Sequence, residues 1–222
     1  GGASGSTIPE SPINLNKWAT SFPGASYEYT NTRASQENGV LYVSSSAGNS
    51  WDSQIRSYQN FNRNNEHTLT FDVTVLMNGG NVGEPRAMIG WGKYSSRGVE
   101  SAGYRENAHA LYFNKTNIMN YEDTNNLGNA FSSSIDTSWS TNVGDKFRVT
   151  MKPNANAGCV TKVFKYPNLT TPVFNWNTGD SGHANTDEIL DVGIWVFDNQ
   201  KTLAFDNIEV TEPGGMGTTI DG

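Results

Sequence analysis

Six tryptophans and nine tyrosines in 222 residues are the side chains of this sequence best suited to chemistry. An indole or phenol face stacks on the apolar CH face of a sugar ring, while amides and guanidinium groups bond its hydroxyls. Trp51, Trp91, Tyr94, Tyr104, Tyr112 and Trp195 are the aromatic candidates. Trp51 opens the polar stretch WDSQIRSYQNF, where Gln54, Arg56 and Tyr58 share one face and have no evident core role. Trp91 and Tyr94 flank Gly92, beside a long polar loop that could rim a cleft. Trp18, Trp139 and Trp176 are assigned to core or loop packing.

Elements of period two must position these groups. In TLTFDVTVLM, Leu69, Phe71, Val73, Val75 and Met77 face one way, and Thr68, Thr70, Asp72 and Thr74 the other. In DEILDVGIWVFDNQKTLAFDNIEV, Leu190, Val192, Ile194 and Val196 alternate with Asp191, Gly193, Trp195 and Phe197. Both faces are apolar near Trp195, which predicts a strand inside a sheet. A tight turn at Asp198, Asn199 and Gln200 is expected to pair it with AFDNIEV. Asn38-Gly39 signals a hairpin before VLYVS, and AHALYFN and NIMNYE should pair about Lys115. KFRVTMK, CVTKVFKY and VFNW complete about a dozen short strands, and no window shows a capped helical period. These features predict an all-β, two-layer antiparallel β-sandwich of jelly-roll type.

The sandwich is expected over residues 12–212. Residues 1–11 are read as a linker or tag remnant and residues 213–222 as a linker, which suggests a module of a larger multidomain protein. The formal charge of −7 argues against nucleic acid. No apolar run approaches the roughly 20 residues of a membrane span, so no membrane insertion is expected. The single cysteine, Cys159, excludes an internal disulfide. A secreted or cell-surface setting is expected.

The order NGVLYV, polar strand, TLTFDVTV, then GDKFRVTM, then GIWVFDN with AFDNIEV resembles the concanavalin A-like lectin/glucanase superfamily over Leu15 to Val210. Jelly-roll carbohydrate-binding modules share the DNI-V ending, and WDSQI resembles a segment of some of them. The resemblance implies three activities. The glucanase motif Glu-x-Asp-x-x-Glu, which sets two glutamates on one strand face, is absent. A polysaccharide lyase would combine Arg, His, Gln and Tyr. Arg105, His109, Tyr112, Gln54 and Arg56 supply those types, but His109 and Tyr112 are three apart and fall on opposite strand faces. The third activity is binding without chemistry, which the aromatic and amide residues support best. The expected partner is a neutral polysaccharide of β-glucan or hemicellulose type, with a hydrolase, a lyase or an adhesive domain as alternatives. The resemblance also implies a structural Ca2+ held by Asp206 in AFDNIEV, with oxygens from Glu37, Asn38 or Gly39.

Overall fold

Strand β6 (Thr68–Val75) shows how the chain builds its layers. Leu69, Phe71, Val73 and Val75 are all removed from solvent, and the threonines between them are half-exposed. The structure is a computed structural model and describes residues 11–12, 17–19, 32–46, 51, 53–77, 85–97, 106–115, 117–123, 129–130, 141–180, 184–214 and 217–220.

The other strands are β1 (Ser11–Pro12), β2 (Trp18–Ala19), β3 (Thr32–Glu37), β4 (Val40–Ser45), β5 (Ser53–Asn62), β7 (Arg86–Lys93), β8 (Asn107–Asn114) and β9 (Asn117–Asp123). They continue with β10 (Asn129–Ala130), β11 (Lys146–Pro153), β12 (Cys159–Lys165), β13 (Phe174–Asn177), β14 (Ile189–Val196), β15 (Leu203–Thr211) and β16 (Gly217–Thr219). Among the described residues the only helices are short 3-10 turns, such as Arg63–Asn65 and Tyr94–Ser96. None is long and apolar enough to cross a membrane.

Two antiparallel sheets pack face to face. The nine-stranded sheet runs β1-β3-β4-β15-β6-β11-β12-β13, with β16 added to β15. The seven-stranded sheet runs β10-β9-β8-β7-β14-β5-β2. Their inner faces contribute Leu41, Phe71, Val73, Phe147, Val149 and Phe205 from one side and Ile55, Ile89, Leu111, Phe113, Val192 and Ile194 from the other. The turns follow local chemistry. Asn38 (φ 52°) and Gly39 (φ 80°) close the β3–β4 hairpin in the left-handed region, where Asn and Gly are the residues of least strain. Lys115 (φ 59°) closes β8–β9.

Two expectations are corrected. β14 and β15 are not a hairpin. β14 lies between β7 and β5, and β15 lies between β4 and β6 in the other sheet. The Asp198–Gln200 turn therefore carries the chain across the sandwich. The placement of β14 inside a sheet is as expected. The tail, read as a linker, is part of the fold from 217 to 220: Thr218 pairs with Val210, and Ile220 is buried in the core. At the other end, Ser11 pairs with Gln36.

Candidate functional site

The outer face of the seven-stranded sheet can be read row by row from the strand register. One row holds Tyr112, Met88, Trp195 and Gln54, on β8, β7, β14 and β5. The next holds Tyr121, Ala110, Gly90, Gly193 and Arg56. The third holds Asn107, Gly92, Asp191 and Asn60. Three adjacent strands thus present only Ala110, Gly90 and Gly193 in the middle row, and no long side chain rises there. The space is used by its neighbours. The Trp195 ring lies over Gly193, where an added Cβ would meet the ring at 2.4 Å. The Arg56 guanidinium reaches Gly92, where an added Cβ would stand 2.5 Å from Nη2. Glycine inside a strand marks such close approaches.

A polar network fills this layer. Arg56 Nε donates to Asp191 Oδ1 at 2.8 Å. Its Nη1 donates to Gln54 Oε1 and to Glu106 Oε2, each at 3.1 Å, and its Nη2 donates to Lys93 O at 2.7 Å. Arg97 Nε donates to Asp191 Oδ2 at 2.6 Å, and its Nη2 to Ser57 O. The Arg56 guanidinium also sits 5.3 Å from the centre of the Trp195 ring. Burial pulls Arg56 below its ordinary value, and Asp191 opposes that pull. Two arginines face two carboxylates, so these four groups sum to zero charge.

Two donors stand out. Gln54 Nε2 and Trp195 Nε1 are buried and have no hydrogen-bond partner among the described residues. They belong to directly paired residues, Trp195 opposite Gln54. A buried donor without a partner costs about 1–3 kcal/mol, so a ligand or water oxygen at this row would recover that loss for both.

Aromatic side chains border the layer. Half-buried Trp51 packs edge-on against Tyr112 at 5.7 Å and against Phe197 at 5.5 Å. Tyr112 in turn packs on Tyr121 at 6.5 Å. Burial raises the Tyr112 phenol above its ordinary value. Among the described residues Tyr58 and Tyr94 are the exposed aromatics, at 53% and 38%. Arg97 lies over the Tyr94 ring at 4.7 Å, which ties that rim to Asp191.

The structure thus brings together Trp51, Gln54, Arg56, Tyr112 and Trp195, with Tyr58 and Tyr94 as exposed neighbours on adjoining chain. Trp91 is corrected. It alternates with Gly90 and Gly92, so its indole enters the space between the sheets, packs on Phe61 at 5.6 Å and donates to Met151 O at 2.9 Å. No face of that ring is open to a sugar. Tyr104 and Arg105 lie outside the described residues. Glu106, Asp191 and Arg97 were not singled out as binding residues, although Asp191 shares a strand face with Trp195.

His109 faces the core, opposite to Tyr112, as their spacing requires. Arg63 Nη2 stands 2.7 Å from His109 Nε2. A guanidinium only donates, so Nε2 accepts and the ring proton resides on Nδ1, 3.2 Å from Glu122 Oε2. Burial lowers the His109 value against the pull of Glu122, which keeps the ring neutral. This histidine is a buried structural link with no route to the outer face.

Asp206, the carboxylate expected to hold calcium, lies on β15, and Gly39 lies in the β3–β4 turn. Asp206 Oδ1 accepts Asn207 N–H at 2.8 Å. Asp72, its cross-strand partner, is already bonded by Arg148, Tyr166 and Asn207. Among the described residues no three His, Cys, Asp or Glu side chains gather to hold a metal.

No protein-family model matches the chain, and no curated protein matches it. Solved structures do. Lectin UEA-II complexed with galactose superposes with a TM-score of 0.53 at 12% identity, over 90% of this chain and 99% of that one. Alginate lyase A1-II′ gives 0.50 at 14% identity, over 90% and 96%. The endo-β-1,4-glucuronan lyase of the fungus Trichoderma reesei gives 0.53 at 9% identity, over 97% and 98%. At these identities the likeness establishes the fold.

Proposed function

We infer that this chain, a concanavalin A-like jelly-roll sandwich, is a non-catalytic carbohydrate-binding domain for a neutral polysaccharide of β-glucan or hemicellulose type. The observation that carries this reading is the pair of buried, partnerless donors on Gln54 and Trp195, set beside the half-buried Trp51–Tyr112 aromatic pair. A sugar ring supplies what both lack: a CH face for the aromatic groups and hydroxyl oxygens for the donors. Gln54, Arg56 and Trp195 are closed off from solvent in the free chain. Trp51, Tyr58, Tyr94 and Tyr112 therefore make the first contact, and the face must open for a hydroxyl to reach the row beneath.

Charge favours a neutral ligand. Arg56, the cation a uronate would seek, already serves Asp191 and Glu106. The lyase reading loses its histidine as well, because His109 points into the core. The fold neighbours that bind galactose or act on alginate and glucuronan agree with a carbohydrate ligand without specifying it.

A hydrolase reading keeps one observation. Glu106 and Asp191 both contact a single guanidinium, so their carboxylates stand no further apart than the roughly 9 Å that glycoside hydrolases span. Both are committed to Arg56, and Asp191 to Arg97 also, which leaves neither placed as a proton donor to a leaving group.

An extracellular setting and attachment to a larger polysaccharide-degrading or adhesive protein form part of the same proposal. Affinity electrophoresis through gels cast with neutral β-glucans and xylans tests it. Retarded migration that Trp51→Ala abolishes, with no reducing ends released, is the expected result. Release of reducing ends, or absorbance from unsaturated uronates, would overturn the non-catalytic claim. Migration unaffected by any glycan would favour an adhesive, protein-binding domain.

A further inference from the structure

We propose that the outer face of the other, nine-stranded sheet carries a second ligand site, which takes an oxyanion borne on a sugar residue: a uronate carboxylate or a sulfate ester. The site is a groove of about 540 Å³ at the β3–β4 edge and the turn that follows β14. Its volume falls within the roughly 300–1,000 Å³ of small-ligand pockets. Thr32, Arg33, Ser35, Tyr42, Ser44 and Lys201 line it.

The strand register explains why these side chains converge. Arg33 pairs with Ser44, and Ser35 with Tyr42. The alternate residues Ala34, Leu41 and Val43 turn into the core. A period of two therefore sends Arg33, Ser35, Tyr42 and Ser44 outward together. The connection from β14 to β15, which crosses between the sheets, then brings Lys201 over the Tyr42 ring, with Nζ 5.0 Å from its centre.

Charge and hydrogen-bonding capacity select the ligand. The chain as a whole carries −7, yet among the described residues two cations and no carboxylate line this groove. Arg33 is exposed, and unlike Arg56, Arg97 and Arg148 it holds no carboxylate among the described residues. Its planar fork matches an oxyanion through two parallel bonds. Lys201 adds a point charge. Hydroxyls such as those of Ser35, Ser44 and Tyr42 are of the type that both donates and accepts, as a sugar ring requires, while the Thr32 hydroxyl is held by Gln54 N and O. Glu37 lies on the same face of β3, two residues beyond Ser35 and outside the lining, so it bounds the basic patch on one side. Arg33 thus differs in kind from Arg56 and Arg97 of the seven-stranded face, which are held by Asp191 and Glu106.

The experiment titrates the full chain with D-glucuronate, with a glucose sulfate ester and with glucose, and follows the Arg33 Nε–H signal by NMR. At least one of the two anionic sugars should shift that signal saturably while glucose does not, and which of them does so identifies the source of the charge. Replacing Arg33→Ala together with Lys201→Ala should weaken that binding by about tenfold or more, the scale of a hydrogen bond to a charged group. The double variant should leave neutral-glycan retardation unchanged, which separates this proposal from the first. Failure of both anionic sugars to shift Arg33, equal binding of glucose, or undiminished binding in the double variant would each overturn it.

Discussion

Replacing Arg56→Met tests the arrangement that holds the outer face together. The guanidinium is fully enclosed and donates to Asp191, Glu106, Gln54 and Lys93 O. Methionine keeps much of the length and none of the charge. Asp191 retains Arg97, but the Glu106 carboxylate loses the cation it pairs with here. Removing one partner of a buried pair costs about 3–5 kcal/mol, because the other charge is left uncompensated. For a chain of this size each kcal/mol lowers Tm by roughly 2–4 °C, so a fall of about 6–20 °C is expected. Urea unfolding at pH 7 measures the loss directly, provided the slope matches that of the wild type. A double-mutant cycle with Glu106→Gln then isolates the charge. Glu106→Gln should destabilise the wild type, and in the Arg56→Met background it should cost nothing or restore stability. A loss below about 1 kcal/mol for Arg56→Met, or simple additivity in the cycle, would refute the claim that the network is a neutralised ion cluster.

Further outcomes follow from other parts of the fold. Gly92→Ala would place a Cβ 2.3 Å from Asp191 Oδ1. It should cost about 1–3 kcal/mol by urea unfolding and weaken glycan retardation, since both depend on the same layer. On the opposite sheet, burial pushes Asp72 upward, but bonds from Arg148, Asn207 and Tyr166 outweigh it and hold the carboxyl below its ordinary 3.8. Its stabilisation is thus present above about pH 4 and lost as pH falls through the lower folded value. Tyr166→Phe removes the 2.9 Å bond to Asp72 Oδ2. It should cost about 1 kcal/mol at pH 6, with the difference shrinking at pH ~2. Ile220→Ala should cost about 2–4 kcal/mol by thermal unfolding, because Ile220 is a core residue; a loss under ~0.5 kcal/mol would return the tail to linker status.

Period-two alternation made the inner faces legible before any coordinates. Leu69, Phe71, Val73 and Val75, and Leu190, Val192, Ile194 and Val196, all lie where the pattern puts them. Alternation reports which way a side chain points and says nothing of which strand lies alongside. That is why β14 and β15 read as a hairpin: the segment from 197 to 202 looks like a turn, and only the pairing of β14 with β5 and β7 shows that it bridges two sheets. Trp91 reads as a rim residue because a long polar loop follows it in the sequence, yet Gly90 and Gly92 occupy the outer face and alternation sends the indole inward with Ile89. Trp195 had the correct face and a neighbour, Asp191, whose role was invisible because its partners Arg56 and Arg97 lie far away in sequence. Glu106 likewise pairs across 50 residues with Arg56, and no local spacing encodes that contact. Ile220 is a single apolar residue in a polar tail, too little for any period to register.

The most direct test of the account follows the indole Nε1–H of Trp195 by NMR while the chain is titrated with neutral β-glucan and hemicellulose oligosaccharides. The account predicts a saturable shift of that signal together with a side-chain amide signal of Gln54, at the same ligand concentration that quenches Trp51. Saturable glycan binding that leaves both donors unmoved, or no binding across the panel, would contradict it.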